Sequence, residues 1–373
     1  MTTSRPRRAL ITGGAGFIAT NVAERLLRDG WQVRLLDNLS RPGVAENVAW
    51  LKATHGRGEL GDPPPASGPR VELLVGDVRD ARLVARAVRD VDRVFHFAAQ
   101  VAVTTSLVDP LLDFEVNARG TLNLLEAIRS LDRRPTLLFT STNKVYGHLN
   151  DLPLRIQDRR YQPVDGGVAQ QGISEGQPLD FHSPYGCSKG AAEQYVLDYA
   201  RTFGLPAAVF RMSCIYGPHQ FGTEDQGWVA HFLIQALKDR PLTLYGDGRQ
   251  VRDVLFIEDL VDAMMRAHES MDAVGGRAFN IGGGPARTVS LLELIELIGD
   301  LIGGRPAYRL DAWRSADQRY YVSDTTRFQR ATGWTPRIPV AEGLRRLAAW
   351  LAAHDRPAHH EPPSAMASRR AVV

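Results

Sequence analysis

A tyrosine and a lysine four residues apart, in Tyr185-Gly186-Cys187-Ser188-Lys189, could move a proton together. Residues spaced i and i+4 share one face of a helix, so the lysine ammonium would lie close to the phenol. A free phenol has a pKa near 10, and a nearby cation favours the phenolate that can act as a base. A Ser141-Thr142 pair upstream adds hydroxyl groups. The pattern predicts a site in which a tyrosine, rather than a histidine or a metal, transfers the proton.

A glycine-rich turn follows the first predicted strand, in Thr12-Gly13-Gly14-Ala15-Gly16-Phe17-Ile18. Gly13 would permit the tight turn, and Gly16 would let the backbone approach a pyrophosphate at the positive end of the helix that starts with Phe17 and Ile18. A glycine-rich turn alone is weak evidence. Together with the tyrosine and lysine, it predicts a dinucleotide site.

The end of the second predicted strand indicates which dinucleotide binds. Asp37 lies about twenty residues after the glycines, where a carboxylate can bind both ribose hydroxyls and repel a 2′-phosphate. We therefore expect NAD rather than NADP as the cofactor. Arg41 leaves NADP open, since an arginine can accommodate that phosphate. Asn38 and Ser40 complete the predicted ribose site.

Two later strand ends extend the predicted cofactor site. Asp77, with Val78, follows the third strand and could hold the adenine amino group, although Asp77 could instead be the N-cap of a helix over 78–89. The fourth strand ends in small residues that suit packing against a nicotinamide ribose, namely Phe97, Ala98, Ala99 and Gln100. His96, inside that strand, is expected to be a packed core histidine.

Alternating β-rich and amphipathic segments predict an α/β fold, a doubly wound parallel sheet with a smaller C-terminal α+β lobe. We assign 1–240 mainly to a dinucleotide-binding domain and 241–351 mainly to a substrate lobe interleaved with it. Residues 55–70 are predicted to be an inserted loop and 352–373 a disordered tail. Residues 149–181 are predicted to lie over the active site, either as a substrate lid or as a passive excursion.

Composition excludes several classes of function. The chain has 373 residues, of which 44% are hydrophobic and 23% charged, and its formal net charge is +3. Scattered basic residues argue against nucleic-acid binding. The two cysteines and ten histidines show no metal-ligand spacing, so we expect no metal. No apolar segment suits a membrane span or a signal peptide, so we expect no membrane association and a cytoplasmic location.

The motifs together resemble the nucleotide-sugar epimerase and dehydratase branch of the extended short-chain dehydrogenase/reductase superfamily. They are T-G-G-A-G-F-I at 12–18, H-F-A-A-Q at 96–100, S-T-N-K-V-Y-G at 141–147, Y-G-C-S-K at 185–189 and V-R-D-V at 251–254. The resemblance covers about residues 7–350. It implies a Rossmann domain, bound NAD, a nucleotide-diphosphosugar substrate in the smaller lobe, and a homodimer formed through helices over 111–129 and 188–203.

The resemblance also implies roles for single residues. Tyr185 would be the acid/base, and Lys189 would hold the nicotinamide ribose and lower the pKa of the tyrosine. Thr142 would hydrogen-bond the reacting sugar hydroxyl, with an ordinary strand-end threonine as the alternative. Asn117 would support the site through backbone hydrogen bonds, unless it is a plain helix-surface asparagine.

Residues on the substrate side indicate the reaction. Dehydratases of this superfamily carry an Asp-Glu pair where this chain has Asn143 and Lys144, so elimination is disfavoured and epimerisation favoured. Cys214 stands where UDP-sugar 4-epimerases generally have an asparagine, although it could be a small core residue. Arg252 and Arg314 match two arginines that grip the diphosphate, with surface ion pairs as the alternative.

We therefore expect an NAD-dependent nucleotide-diphosphosugar epimerase that resembles the CDP-sugar 2-epimerase group of this branch. A UDP-sugar 4-epimerase, acting on UDP-glucose or UDP-glucuronate, is the main alternative. A net reductase or dehydratase, and a non-catalytic dinucleotide sensor, are further alternatives. The intact tyrosine-lysine pair argues against the sensor.

Overall fold

The computed structural model describes residues 5–55, 71–314 and 317–354. The predicted inserted loop therefore lies almost entirely outside the described residues. So does the predicted tail, apart from its first three residues, which are helical. The described strands, in chain order, are β1 (Arg8–Thr12), β2 (Gln32–Asp37), β3 (Val71–Val75), β4 (Arg93–His96), β5 (Thr136–Thr142), β6 (Leu154–Gln157), β7 (Arg160–Pro163), β8 (Ala207–Met212), β9 (Cys214–Tyr216), β10 (Leu242–Tyr245), β11 (Val251–Phe256), β12 (Ala278–Ile281), β13 (Thr288–Ser290), β14 (Tyr308–Asp311) and β15 (Tyr320–Tyr321).

Helices cover these strands and fill the connections. In chain order they are α1 (Phe17–Arg28), α2 (Val44–His55), α3 (Ala81–Ala87), α4 (Val103–Val108), α5 (Pro110–Phe114), α6 (Gly120–Arg129), α7 (Gly166–Gln171), α8 (Ser183–Phe203), α9 (Trp228–Leu237), α10 (Ile257–Glu269), α11 (Met271–Val274), α12 (Leu291–Ile302), α13 (Thr326–Thr332) and α14 (Val340–His354).

Seven parallel strands form the main sheet, in the order β12-β8-β5-β4-β1-β2-β3. Most of their side chains are buried because helices pack on both faces, which explains their nearly continuous apolar sequences. The order changes direction between β1 and β4, where open α/β sheets place their ligands. The predicted fold class is confirmed.

The two predicted domains share elements. Strand β12 extends the main sheet beside β8, and helix α10 packs against α1 and β5. Both elements come from the segment assigned to the substrate lobe. In that lobe, β11 pairs in parallel with β9 and β15 and antiparallel with β13, while α9 packs against α12 and α14.

Two helices differ from the predicted ones in ways that matter for the site. The helix expected over 111–129 is interrupted by a π-helical turn, Glu115–Arg119, between α5 and α6. Such a turn holds one extra residue and often marks a functional site. Helix α8 begins at Ser183, five residues earlier than predicted, because Pro184 suits its first turn. Tyr185 therefore lies in the first turn of a helix that also carries Lys189.

The segment 149–181 packs beside the substrate lobe. Strands β6 and β7 form a hairpin, and the Tyr161 N–H donates to the Arg249 carbonyl at 2.9 Å. The Ile173 N–H donates to the Val322 carbonyl at 2.7 Å, and its carbonyl accepts from Asn280 Nδ2 at 2.8 Å. None of these residues lines the central cleft. These backbone hydrogen bonds hold the segment beside the smaller lobe, and its role as a lid or as a passive excursion stays a prediction.

Candidate active site

A cleft of about 500 Å³ opens at the carboxyl ends of the main-sheet strands and runs into the smaller lobe. It is lined by ends of β4, β5 and β8, by α8, and by β10 and β11 of the lobe. The predicted site residues among its walls are Phe17, Ile18, Phe97, Ala99, Thr142, Asn143, Tyr185, Lys189, Cys214, Arg252 and Arg314. Among the described residues, no group of histidines, cysteines and carboxylates could hold a metal ion, and no helix is long and apolar enough to span a bilayer.

The glycine turn has a backbone that a larger residue would disrupt. Gly13 has φ of +66°, and a Cβ atom there would lie 2.7 Å from the Ala98 nitrogen. Gly16 precedes α1, and its φ and ψ of −71° and 168° are those of an extended N-cap. Its side-chain position is not filled by a capping hydroxyl or carboxylate. The first turn of α1 therefore leaves backbone N–H groups for an anion such as a pyrophosphate.

Asp37 connects this turn to the second strand. Its carboxylate accepts from the Ala15 N–H at 3.0 Å and from the Leu39 N–H at 2.7 Å. These bonds fix the carboxylate at the end of β2, where a ribose would meet it. Asn38, Ser40 and Arg41 are exposed in the turn that follows.

The structure decides whether Asp77 is the N-cap of the helix that follows it. Asp80, rather than Asp77, caps the following helix, because its side chain accepts from the backbone N–H groups of Arg82 and Leu83. Asp77 instead accepts from Asn38 Nδ2 at 3.0 Å, and the Arg79 guanidinium holds its pKa at about 2. Val78 is buried beside it. The N-cap interpretation of Asp77 is wrong, and its carboxylate remains at the edge of the predicted adenine site.

Asn117 ties the loop after β4 to the helix that carries the tyrosine. Its Oδ1 accepts from the Gln100 N–H at 2.8 Å, and its Nδ2 donates to the Gln100 carbonyl at 3.0 Å and to Ser188 Oγ at 3.0 Å. Asn117 lies in the π-helical turn and is 1% exposed. It is therefore not a helix-surface residue. Asp113 joins the same network through Gln100 Nε2 and Ser188 Oγ.

The predicted catalytic residues come together at the ends of β5 and α8. Burial raises the pKa of Tyr185 to about 12, and a hydrogen bond with the Thr142 hydroxyl lowers it in part. Burial also lowers the pKa of Lys189 to about 7, against the attraction of the Glu193 and Asp113 carboxylates. Burial thus has the largest effect on the pKa values of both Tyr185 and Lys189.

The position of Lys189 is set by packing and by charge. Its Nζ lies 4.2 Å from the centroid of the Phe139 ring. Glu193, one helical turn further along α8, pairs with Arg211 at 2.5 Å, and both side chains are almost fully buried. Arg211 Nη1 also donates to the Tyr146 hydroxyl at 2.8 Å. The V-Y-G motif is thus linked to the catalytic helix through a buried ion pair.

The residues that replace the dehydratase carboxylates border the cleft. Asn143 is buried and donates from Nδ2 to Gln318 Oε1 at 3.3 Å. Lys144 Nζ lies 3.8 Å from Asp317 Oδ1, and burial lowers the pKa of Lys144 to about 8. Cys214 accepts from Trp228 Nε1 at 3.2 Å, and burial raises the pKa of its thiol. It lines the cleft and is only partly buried, so it is more than a core residue.

The two arginines predicted to bind the diphosphate both line the cleft, and both pair with carboxylates. Arg252 donates from Nη2 to Asp317 Oδ1 at 2.6 Å. Arg314 lies 3.2 Å from Asp225 Oδ1, and its guanidinium stacks 3.9 Å above the Tyr245 ring. Arg252 is buried and Arg314 is partly buried in the wall of the cleft, and their role in binding the diphosphate stays a prediction.

Sequence reasoning did not assign several residues of this cleft. Lys144 was considered only for the reaction type, and Gln250 and Gln226 were not considered. Gln250 could have been found from its position two residues before Arg252, directly ahead of β11.

Comparison with known proteins agrees with this geometry. Residues 9–282 match the NAD dependent epimerase/dehydratase family. The chain is 41% identical over 350 residues to CDP-paratose 2-epimerase of Salmonella typhi, covering 92% of this chain and 98% of that protein. It is 32% identical to UDP-glucose 4-epimerase of Mycolicibacterium smegmatis, with 91% and 96% covered. A solved structure of UDP-glucose 4-epimerase of Thermus thermophilus in complex with NAD aligns with a TM-score of 0.74 and 31% identity, covering 92% of this chain and 99% of that one. The chain belongs to the NAD-dependent epimerase/dehydratase family.

Proposed function

We propose that this NAD-dependent nucleotide-sugar epimerase inverts C-2 of a CDP-linked deoxyhexose such as CDP-paratose. One observation carries the proposal most directly. Thr142, Tyr185 and Lys189 share a cleft with Arg252 and Arg314, whereas the carboxylates needed for elimination are replaced by Asn143 and Lys144. The 41% identity to a CDP-paratose 2-epimerase supports the choice of substrate.

The residues of the chain suit NAD. Gly13 and Gly16 leave room for a pyrophosphate at the start of α1, Asp37 would bind the adenosine ribose, and Asp77 would meet the adenine edge. Lys189 would hold the nicotinamide ribose beside Phe97 and Ala99, with its ammonium lowering the pKa of Tyr185. When bound, NAD would supply the two-electron hydride acceptor for oxidation of the carbinol carbon and the hydride donor for its re-reduction.

Side chains of the protein would transfer the proton and bind the diphosphate. Tyr185, as phenolate, takes the hydroxyl proton of the reacting carbinol while Thr142 holds that oxygen. The keto sugar then turns in the cleft, and Tyr185 returns the proton when the carbon is reduced on its other face. Arg252 and Arg314 hold the diphosphate, exchanging Asp317 and Asp225 for phosphate oxygens.

A UDP-glucose 4-epimerase is the second candidate, and the 32% identity to such an enzyme favours it. It would use the same catalytic residues on a different carbon. Cys214, where those enzymes generally have an asparagine, argues for the CDP-sugar instead.

The deciding experiment is NMR of the purified protein with CDP-paratose, without added cofactor, following the sugar C-2 proton. Conversion to the C-2 epimer would support both the reaction and the retention of NAD. If no conversion occurs even with added NAD while UDP-glucose is converted, the second candidate replaces the first.

We further propose that the protein is a cytoplasmic homodimer. Exposed apolar side chains outside the cleft lie on the helical stretch from α4 to α5 and on α8, namely Val108, Leu111, Phe114, Tyr195 and Phe203. Burying these groups between two copies would stabilise the dimer. Both cysteines of the chain are free thiols, as expected in a reducing compartment.

A further inference from the structure

The Gln250 side chain lines the cleft with a carbonyl group that has no partner. Gln250 is 3% exposed, and its Oε1 is buried without a hydrogen bond in the described structure. A buried acceptor of this kind costs about 1–3 kcal/mol unless a donor reaches it. Its place in the wall of the substrate cleft indicates that the missing donor belongs to the ligand.

The orientation of the Gln250 amide follows from its other contact. Its Nε2 donates to the Tyr245 carbonyl at 2.6 Å. A backbone carbonyl only accepts hydrogen bonds, so the amide nitrogen must face Tyr245 and the amide oxygen must face away from it. Gln250 therefore offers the ligand an acceptor and not a donor.

Strand register shows which part of a nucleotide sugar Gln250 would meet. In β11, Val254 pairs with Cys214, near the sugar end of the cleft, and Arg252 lies two residues before it. Gln250 directly precedes the first residue of β11, so it lies beyond Arg252, at the end of the strand away from Cys214. Its anchor, Tyr245, lies under the guanidinium of Arg314. Gln250 thus lies beyond Arg252 and close to Arg314, at the end of the cleft that would hold the nucleoside.

Two other glutamines of the cleft also have side-chain carbonyls without a hydrogen-bond partner. The side-chain carbonyls of Gln220 and Gln226 are also buried without partners, and both residues line the cleft. Gln220 donates from Nε2 to the Ile215 carbonyl at 3.1 Å, so its oxygen also faces away from that bond. This wall of the cleft is therefore rich in acceptors and complementary to ligand donors.

We propose that Gln250 is a specificity-determining residue whose side-chain carbonyl accepts a hydrogen bond from the nucleoside half of the substrate. The donor is either the exocyclic amine of cytosine or a ribose hydroxyl. This inference rests on the proposed function for the position of the nucleotide. Cytosine presents an amine where uracil presents a carbonyl oxygen, so a fixed acceptor at that edge favours CDP over UDP.

The test is calorimetric titration of the full-length protein with CDP, UDP, 2′-deoxy-CDP and 3′-deoxy-CDP, for the wild type and Gln250→Met. Methionine has a similar length but offers no amide oxygen. If the donor is the base amine, the wild type binds CDP about tenfold more tightly than UDP, and the variant reduces this ratio to about twofold or less. If it is a ribose hydroxyl, the same loss appears in the ratio between CDP and one deoxy form.

Ratios separate recognition from general damage, because a loosened cleft weakens all four ligands alike. Gln157→Met, an exposed glutamine in β6, controls for the substitution itself and should keep the wild-type ratios. Unchanged ratios in Gln250→Met would overturn the proposal. If that variant does not fold, the wild type is titrated with N4,N4-dimethyl-CDP and the two deoxy forms. Undiminished affinity for all three would overturn it equally.

The two experiments test the proposed function and the role of Gln250 separately. A protein that converts no CDP-sugar but loses its nucleotide preference in Gln250→Met retains this inference and loses the proposed function. A protein that epimerises CDP-paratose with unchanged ratios retains the function and loses the inference.

Discussion

At the scale of single residues, the proposed reaction depends on a tyrosine, Tyr185, that would give and take one proton. Burial raises its pKa to about 12 in the chain alone, and the hydrogen bond with Thr142 offsets only part of this. A cationic nicotinamide and the Lys189 ammonium would both favour the phenolate. Burial and these cations thus act in opposite directions on the pKa of Tyr185.

The first prediction concerns Tyr185→Phe, which removes one hydroxyl and keeps the ring. Epimerisation should fall by a factor of about 10²–10⁴, because general acid–base catalysis supplies a gain of that size. Initial rates measured by NMR with the preferred nucleotide sugar check this. Tyr308→Phe, an exposed tyrosine in β14, is the matched control. A Tyr185→Phe variant that keeps more than about a tenth of the rate would remove this tyrosine from its role.

The second prediction concerns the pH dependence of stability. The pKa of Lys189 is about 7 in the folded chain and near 10.4 when unfolded. Between these values the unfolded state binds the extra proton, so this lysine makes the free energy of unfolding rise with pH. Lys189→Met should remove that rise, which is at most about 1.4 kcal/mol per pH unit. The free energy of unfolding of the variant should therefore exceed that of the wild type by less at pH 10 than at pH 7.

Chemical denaturation of NAD-free protein at several pH values measures this effect. Lys238→Met, at an exposed lysine after α9, should show the pH slope of the wild type. Parallel pH curves for Lys189→Met and the wild type would show that Lys189 stays charged in the folded chain.

At the scale of elements, the π-helical turn between α5 and α6 brings an asparagine to the site. Its extra residue places Asn117 between the loop after β4 and the start of α8. Sequence periodicity predicted one unbroken helix, whereas the extra residue of the π-helical turn shifts the apolar pattern by about 100°. The loop and the catalytic helix thus depend on one side chain.

The third prediction is that Asn117→Ala lowers the free energy of unfolding by about 2–4 kcal/mol, since buried partners lose their hydrogen bonds. Affinity for NAD should also fall, because the loop over 97–100 is released. Calorimetric unfolding with and without NAD measures both effects. Asn150→Ala, at an exposed loop position, is the control. Stability equal to that of the control would contradict the bridging role.

At the scale of the whole molecule, the exposed apolar face of α4, α5 and α8 is the feature that a single chain leaves uncovered. Leu111 is 78% exposed and Val108 is 87% exposed. Because α8 also carries Tyr185 and Lys189, a second copy packed on its outer face would support the catalytic helix from behind.

The fourth prediction is that Leu111→Arg shifts the protein from dimer to monomer in sedimentation velocity at micromolar concentration. A buried arginine without a partner opposes association. Leu237→Arg, on the exposed side of α9, should remain dimeric. A wild type that sediments as a monomer would exclude the dimer.

Local sequence patterns are enough to identify the family, the parallel sheet and the cofactor turn. These features depend on strand periodicity, on Gly13 at a positive φ, and on an i, i+4 pair on one helix. The sequence alone also indicates epimerisation rather than elimination, because Asn143 and Lys144 stand within one motif where dehydratases have carboxylates.

Only the folded chain shows how residues that are distant in sequence come together in the cleft. Residues 149–181 are held beside the smaller lobe, Asp80 rather than Asp77 caps α3, and burial shifts the Tyr185 and Lys189 pKa values against the expected coupling. The Gln250 carbonyl, in turn, lies in the cleft without a partner. Burial and hydrogen-bond partners are set by segments far apart in the chain, so local sequence patterns do not determine them.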